Sequence, residues 1–260
     1  MKRIVFFLYG LLSYGAFLGV FLYAVGFVAN IAVPKTIDSG PAAPLVPALL
    51  INVGLLTLFA LQHSVMARPG FKKVWMRIVP PAIERSTYVL FSSAALALLF
   101  WQWRPLPMAV WSVDAEAART LLWSVHIGGW LIVLVSTFFI SHAHLFGLMQ
   151  VQRNMEGREM PELRFQTPGL YRLVRHPIML GFVIAFWATP EMSAGHLLFA
   201  AASTGYILVA LQFEERDLIA FFGDRYRAYR EQVRMLIPVP RRNAGLTVDE
   251  RQPAEEGVER

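Results

Sequence analysis

Three groups of side chains in this sequence have types and spacings that could do chemistry. The first is the stretch LYRLVRHPIMLG, in which Tyr171, Arg172, Arg175 and His176 run into Pro177 and then Gly181. Proline is tolerated in a first helical turn, so His176 falls at or just before a helix N-terminus. Free backbone N–H groups and the positive end of the helix dipole suit a carboxylate or phosphate there, and the two arginines reinforce this. The second group is the carboxylate pair Glu214 and Glu215, and the third is His142 and His144 ahead of LFGLMQ. Cations and carboxylates offered to one space would cradle a zwitterionic, nucleotide-like ligand, and histidine is the natural proton acceptor near neutral pH. Each group also has a purely structural reading. His176 serves equally as a helix cap, Arg172 and Arg175 as charges that fix membrane orientation, the glutamates as salt-bridge partners of Arg216 or Arg225, Gly181 as a point of close helix packing, and His142 and His144 as interfacial histidines.

The elements that must position these groups are membrane helices. Of 260 residues 56% are hydrophobic and only 16% charged, against about 45 to 50% and about a quarter in a water-soluble domain. Four apolar runs, Ile4 to Val33, Pro44 to Met66, Ser86 to Trp103 and Thr120 to Ser141, are long enough to span a bilayer. A fifth, Pro177 to Ala188, would reach only about 18 Å as a helix. It turns tightly about Thr189 to Met192 into a sixth, Ser193 to Phe213, with Ser193 as its N-cap. The expected fold is an all-α integral membrane protein with four long transmembrane helices, a C-terminal helical hairpin (five to six membrane segments) and a cytoplasmic amphipathic helix. Leu218, Phe221, Phe222, Tyr226 and Tyr229 would line one side of that last helix. Residues 1–141 hold the four spans, 142–240 form the hairpin and flanking segments of the same domain, and 241–260 read as a disordered tail. All but three of the 24 Lys and Arg, namely Lys35, Arg104 and Arg119, fall in segments that would share one side of the bilayer. This predicts that both termini are cytoplasmic, and it accounts for the net charge of +6 without nucleic acid. The first apolar run is too long for a cleavable signal and is expected to be retained. The chain has no cysteine, which excludes disulfides, thiolate metal sites and a cysteine nucleophile, and no metal is expected.

LYRLVRHPIMLG, FEERDL, FGDRYRAYREQV and IP together resemble the C-terminal part of membrane methyltransferases related to isoprenylcysteine carboxyl methyltransferase and phospholipid methyltransferases. The longer stretch RHPIMLGFVIAFWATPEMSAGHLLFA, with HLFGLMQV upstream, more closely resembles the bacterial methanethiol S-methyltransferase family. The close likeness covers roughly Leu145 to Pro240. It implies a multi-pass protein of the bacterial inner membrane that methylates methanethiol to dimethyl sulfide, with S-adenosylmethionine as donor. The resemblance assigns donor binding to Tyr171, Arg175, His176, Pro177, Gly181, Glu214 and Glu215; the charge at the helix start adds Arg172, and the upstream stretch Gln150. Removal of the thiol proton is expected of His176 or His144, histidine being the natural acceptor near neutral pH, with Glu215 second. Met179 stands where the carboxyl methyltransferases usually have tyrosine, which favours a thiol over a prenylated acceptor. The acceptor pocket is then expected to be narrow and apolar, lined by Met179, Phe182, Phe186 and His142. The partners implied are a small volatile thiol and the lipid bilayer, with no nucleic acid and no protein partner. Methyl transfer from a sulfonium is an in-line displacement, which asks a site to align two reactants, exclude water and help remove a proton.

Other functions fit a similar span pattern: methylation of a lipid amine or a prenylcysteine carboxylate, or a non-catalytic or haem-binding membrane protein of the denitrification-associated type. Against stacked haems, His126 and His142 are separated by about 160° around a helix. His63, His126 and His196 read as structural, and Trp101, Trp103, Trp111 and Trp123 as an interfacial belt.

Overall fold

The computed structural model describes residues 1–162 and 164–239; the expected disordered tail at 241–260 lies outside the described residues. Its helices are α1 (Lys2–Ala29), α2 (Leu45–Ala67), α3 (Pro69–Trp75), α4 (Pro81–Gln102), α5 (Glu116–Ile140), α6 (His142–Leu145), α7 (Leu148–Glu156), α8 (Pro177–Trp187), α9 (Ala194–Phe222) and α10 (Asp224–Gln232). Strands β1 (Ala109–Ser112) and β2 (Glu191–Ser193) add a small antiparallel ribbon. Five helices, α1, α2, α4, α5 and α9, are long and apolar enough to cross a membrane, and α8 is a shorter apolar helix. The chain is therefore a multi-pass membrane protein, all-α apart from the ribbon.

Local chemistry explains where the helices depart from the apolar runs. The first run extends to Val33, but α1 stops at Asn30, which adopts the left-handed conformation (φ 60°) and bonds back to Gly26 and Phe27 carbonyls. Pro81, at the first helical position, starts α4 ahead of Ser86, so Glu84 and Arg85 lie inside the helix. Ser193 caps α9 as expected, accepting a hydrogen bond from the His196 amide at 3.0 Å. The far end of α9 corrects the sequence expectation. Glu214 and Glu215 do not end this helix, because the strong helix formers that follow carry it on to Phe222. The break comes at Gly223, whose φ of +60° an L side chain rarely adopts. Leu218, Phe221 and Phe222 thus belong to α9, whereas Tyr226 and Tyr229 belong to α10, and no single amphipathic helix carries all five. The basic loops also contain α3, α6 and α7, and the hairpin turn pairs with β1 through Trp111↔Met192 and Ser112↔Glu191.

The short α8 is held by a full-length neighbour. It packs against α5 at backbone distance: a Cβ at Gly129 would lie 2.7 Å from the Ala185 nitrogen, and one at Gly181 2.6 Å from the Gly129 oxygen. Beyond this crossing an aromatic core formed by Phe27, Phe100, Trp103, Trp130, Phe186 and Phe199 fills the end of the bundle remote from the N-terminus. Most of its ring pairs are tilted or edge-on, the arrangement favoured by the ring quadrupoles. At the opposite end Val151 of α7 packs on Gly10 of α1, Gly157 abuts Arg3, and Arg85 donates to the Leu145 carbonyl at 2.7 Å. The groups that could do chemistry gather at that end.

Candidate active site

The N-terminus of α8 meets α9 and α10 in a buried knot of charge. Arg175 and Glu215 are only 7% and 3% exposed, and Arg175 Nε donates to Glu215 Oε1 at 2.6 Å. His176 Nε2 lies 3.2 Å from the same oxygen, and Arg230 Nε lies 3.2 Å from Oε2. Arg175 Nη1 also donates to the carbonyls of Val233 and Arg230. A buried ion pair is tolerable when its remaining donors and lone pairs are satisfied, and this one meets that condition. The backbone adds a second fastening. Val174 and Arg234 form a parallel bridge, with the Arg175 amide donating to the Arg234 carbonyl at 2.9 Å and the His176 amide to the Met235 carbonyl at 3.1 Å. The segment after α10 therefore lies along the approach to α8.

Tyrosines wall this knot. The Tyr229 hydroxyl donates to the Tyr171 carbonyl at 2.5 Å, and Phe165 sets its ring edge-on to those of Tyr226 and Tyr229. Burial raises the pKa of all three tyrosines, with Glu214 adding to the rise at Tyr171, so they stay neutral at physiological pH. The buried Tyr226 hydroxyl has no hydrogen-bond partner among the described residues.

The two glutamates differ sharply. Glu215 is locked, whereas the Glu214 side chain is 48% exposed and its Oε2 stands 3.9 Å from His176 Nδ1, beyond hydrogen-bond reach. Pro177 is buried in the first turn of α8, as the sequence suggested, and Met179 is half-buried in that turn. Arg172 is exposed and donates to the Thr167 carbonyl at 3.4 Å. Gly181 faces α5 at the close crossing. Phe182 and Phe186 stack on each other at 5.7 Å and pack edge-on against Trp130, inside the core. His142 has both ring nitrogens engaged, Nε2 with the Tyr14 hydroxyl at 2.9 Å and Nδ1 with Thr137 at 2.8 Å. His144 is half-buried; burial first, then Arg85 and Lys72, hold its pKa below the ordinary value, so it is neutral near pH 7. Gln150 donates to the His144 carbonyl at 3.1 Å and leaves its buried Oε1 unpartnered.

The comparisons with known proteins bear on this end of the bundle. The NnrU protein family matches residues 51–213. A methanethiol S-methyltransferase of Mycobacterium tuberculosis is 58% identical over 243 residues, covering 94% of this chain and 100% of the relative. Another protein of that name, from Pseudomonas deceptionensis, is 51% identical and covers 92% of this chain and 91% of its own. The chain belongs to the methanethiol S-methyltransferase family. Nurim of Sus scrofa is 33% identical over 183 residues, 67% of this chain and 69% of its own. No solved structure matches the chain. The NnrU match stops just short of Glu214, whereas likeness to the methanethiol S-methyltransferase family runs over more than nine-tenths of the sequence.

The sequence reading named one side of the knot and missed the other. Arg230, Tyr226, Tyr229 and residues 233–235 were passed over as site residues, although the stretch FGDRYRAYREQV that carried the family resemblance contains the first three.

Proposed function

We propose that this protein transfers a methyl group from S-adenosylmethionine to methanethiol, giving dimethyl sulfide and S-adenosylhomocysteine. The observation that carries this reading is the likeness to methanethiol S-methyltransferases over nearly the whole chain, up to 58% identity. The residues present fit such a donor, since the half-open Glu214 carboxylate and the unpartnered Tyr226 and Gln150 oxygens offer acceptors to a cationic, polar ligand. When bound, S-adenosylmethionine supplies an electrophilic methyl group on a sulfonium. Glu214 would face that positive charge, the first-turn amides of Ile178 and Met179 with nearby Arg172 would receive the carboxylate, and Tyr171 would shape the wall. Arg175, Glu215 and Arg230 act by holding α8, α9 and α10 together. His176 has one ring nitrogen on Glu215 and leaves the other 3.9 Å from the Glu214 carboxylate, open to the donor side. His144 and Gln150 are held together on α6 and α7, at the same end of the bundle. Residues 142–240 form the donor-binding part and residues 1–141 the supporting bundle of one domain.

The test is product formation. Membrane-reconstituted protein is given labelled donor with methanethiol, ethanethiol or a farnesylcysteine analogue, and volatile methyl sulfides are read in the headspace. Methanethiol is expected to be preferred. The rate should rise with pH toward the ionisation of the thiol, since the thiolate is the nucleophile and a simple alkanethiol, less acidic than the cysteine side chain with its pKa of about 8.5, is almost wholly protonated at neutral pH. Preferential methylation of the farnesylated compound would count against the thiol assignment.

The finer topology belongs to the same reading. α8 and α9 form a hairpin whose turn pairs with β1 on the outer side, and both termini, α3, α7 and α10 are cytoplasmic. The distribution of Lys and Arg supports this. Reporter fusions at Asp114 and Gln152 are expected to report opposite sides; finding them on the same side would overturn the arrangement.

A further inference from the structure

A second group of polar side chains lies inside the bundle between α2, α4 and α9. Two hydroxyls contact the His63 ring: Tyr88 lies 2.8 Å from Nε2 and 3.1 Å from Nδ1, and Ser92 lies 3.1 Å from Nδ1. Ser92 also accepts a long hydrogen bond from Gln62 at 3.4 Å, and Tyr206 of α9 reaches Ser64 of α2 at 3.1 Å. Tyr88 and Ser92 are buried. All of these residues lie in helices long and apolar enough to cross a membrane, where ionisable groups are costly and mark functional sites by default. Their surroundings are apolar: Phe59 stacks on the His63 ring with centroids 5.2 Å apart, and Met66, Phe17 and Phe146 pack around Tyr88.

This group faces the candidate donor site. Arg68 at the end of α2 pairs with Asp217 at 2.8 Å and lies over the Phe213 ring at 5.8 Å, so this end of α2 packs on the turn of α9 that carries Glu214. The Arg85 guanidinium sits 5.0 Å above the Tyr88 ring and bonds the Leu145 carbonyl, next to His144. By contrast, Phe182 and Phe186, which the sequence suggested for the acceptor pocket, are consumed by the aromatic core.

We propose that Tyr88 and His63 form the acceptor end of the site, where the Tyr88 hydroxyl receives the thiol and His63, acting through it, takes the proton. The inference rests on the methyl-transfer reading of the Glu214 site. Ser92 sets the tautomer: accepting from His63 Nδ1–H, it leaves the Nε2 lone pair for the Tyr88 hydroxyl. The thiol S–H bond breaks as its proton goes to the Tyr88 oxygen, while the original Tyr88 proton passes to His63 Nε2. The sulfur keeps the bonding pair, and the reformed hydroxyl donates to the thiolate. The thiolate spends that pair on the new S–C bond as the methyl–sulfonium bond breaks toward the donor sulfur, leaving a neutral thioether. The proton on His63 returns to solvent after the products leave. The charged and titratable groups facing the pair are Arg85 from α4, Arg68 at the end of α2 with its partner Asp217, and Tyr206 and Glu214 from α9. From α1 and the α6 turn come Phe17 and Phe146. The nearby guanidinium of Arg85 favours the thiolate as it forms and repels the cation on His63, so that ring holds the proton only transiently.

The experiment measures kcat/KM for methanethiol across pH, and S-adenosylhomocysteine affinity, for reconstituted wild type, Tyr88→Phe, His63→Gln and Ser92→Ala. Loss of a proton acceptor should lower kcat/KM about 100-fold at neutral pH in the first two variants, with donor-site affinity unchanged. That loss should shrink as pH rises through the ionisation of the thiol, because preformed thiolate needs no acceptor. Ser92→Ala should give a smaller loss with the same pH dependence. A loss that is equal at every pH, or that is matched by a fall in S-adenosylhomocysteine affinity, would show that the pair only packs the bundle and would overturn the proposal. The two readings fail differently. If wild type methylates no thiol, the methyl-transfer reading falls; if wild type makes dimethyl sulfide and the variants equal it, only the acceptor assignment falls.

Discussion

Glu215→Ala is expected to abolish donor binding and to destabilise the protein as well, whereas Glu214→Ala should weaken the donor alone. The two residues are neighbours on α9, but Glu215 is 3% exposed and binds Arg175, His176 and Arg230, while Glu214 is half-open. Removing Glu215 leaves Arg175 buried with the carbonyls of Arg230 and Val233 as its remaining side-chain partners among the described residues. Breaking one side of a buried pair costs about 3 to 5 kcal/mol, a large part of the roughly 5 to 15 kcal/mol that separates folded from unfolded states. Glu214→Ala removes a charge-assisted contact worth about 1.5 to 3 kcal/mol to a ligand, or roughly 10- to 150-fold in affinity. Calorimetry with S-adenosylhomocysteine and thermal unfolding in detergent separate these effects. A Glu215→Ala protein as heat-stable as wild type would contradict the anchoring role.

Gly181→Val should be equally damaging by a different route. A Cβ at this position would lie 2.6 Å from the Gly129 oxygen and 2.8 Å from the Val133 nitrogen, backbone atoms of α5 that cannot rotate away. Overpacking of this kind costs about 1 to 3 kcal/mol and sometimes more. Here it would also push α8, and with it His176, off its seat, so both turnover and unfolding temperature are expected to fall. Gly205→Ala on α9 is the contrasting substitution, because a Cβ there meets nothing within 4 Å. It should be neutral or slightly stabilising, since alanine favours a helix over glycine by about 1 kcal/mol. Similar unfolding temperatures for Gly181→Val and wild type would mean that α5 and α8 do not depend on this contact.

What could be read from the sequence follows from what each feature depends on. Spans such as α2 are set by apolar length, a local property, and the run Pro44 to Met66 lies within one residue of the helix Leu45–Ala67. The start of α8 was equally legible, because Pro177 marks a first turn by its own geometry. The ribbon was not, since Ala109–Ser112 and Glu191–Ser193 are too short to carry a pattern and owe their form to a partner about 80 residues away. The continuation of α9 past Glu215 was hidden because a drop in hydropathy marks the end of an apolar face and not the end of a helix. At the site, the types of Arg175, His176 and Glu215 announced themselves. Their closure by Arg230 and by the carbonyl of Val233 is a long-range fact. His63 was dismissed as one histidine in an apolar run; its link to Tyr88 and Ser92 exists only once α2 and α4 lie side by side.

The pairing of Val174 and the residues after it with Arg234 and Met235 has a consequence for biogenesis. Chains fold from the N-terminus as they are made, at about 5 to 20 residues per second. The bundle helices can therefore enter the bilayer seconds before the segment that seats Arg175 has been translated. During that interval the buried guanidinium lacks the carbonyl partners that make its burial tolerable. The nascent protein is thus inserted before its site is closed, and a ribosome stalled before Arg230 would leave an embedded intermediate in which Arg175 is not yet seated.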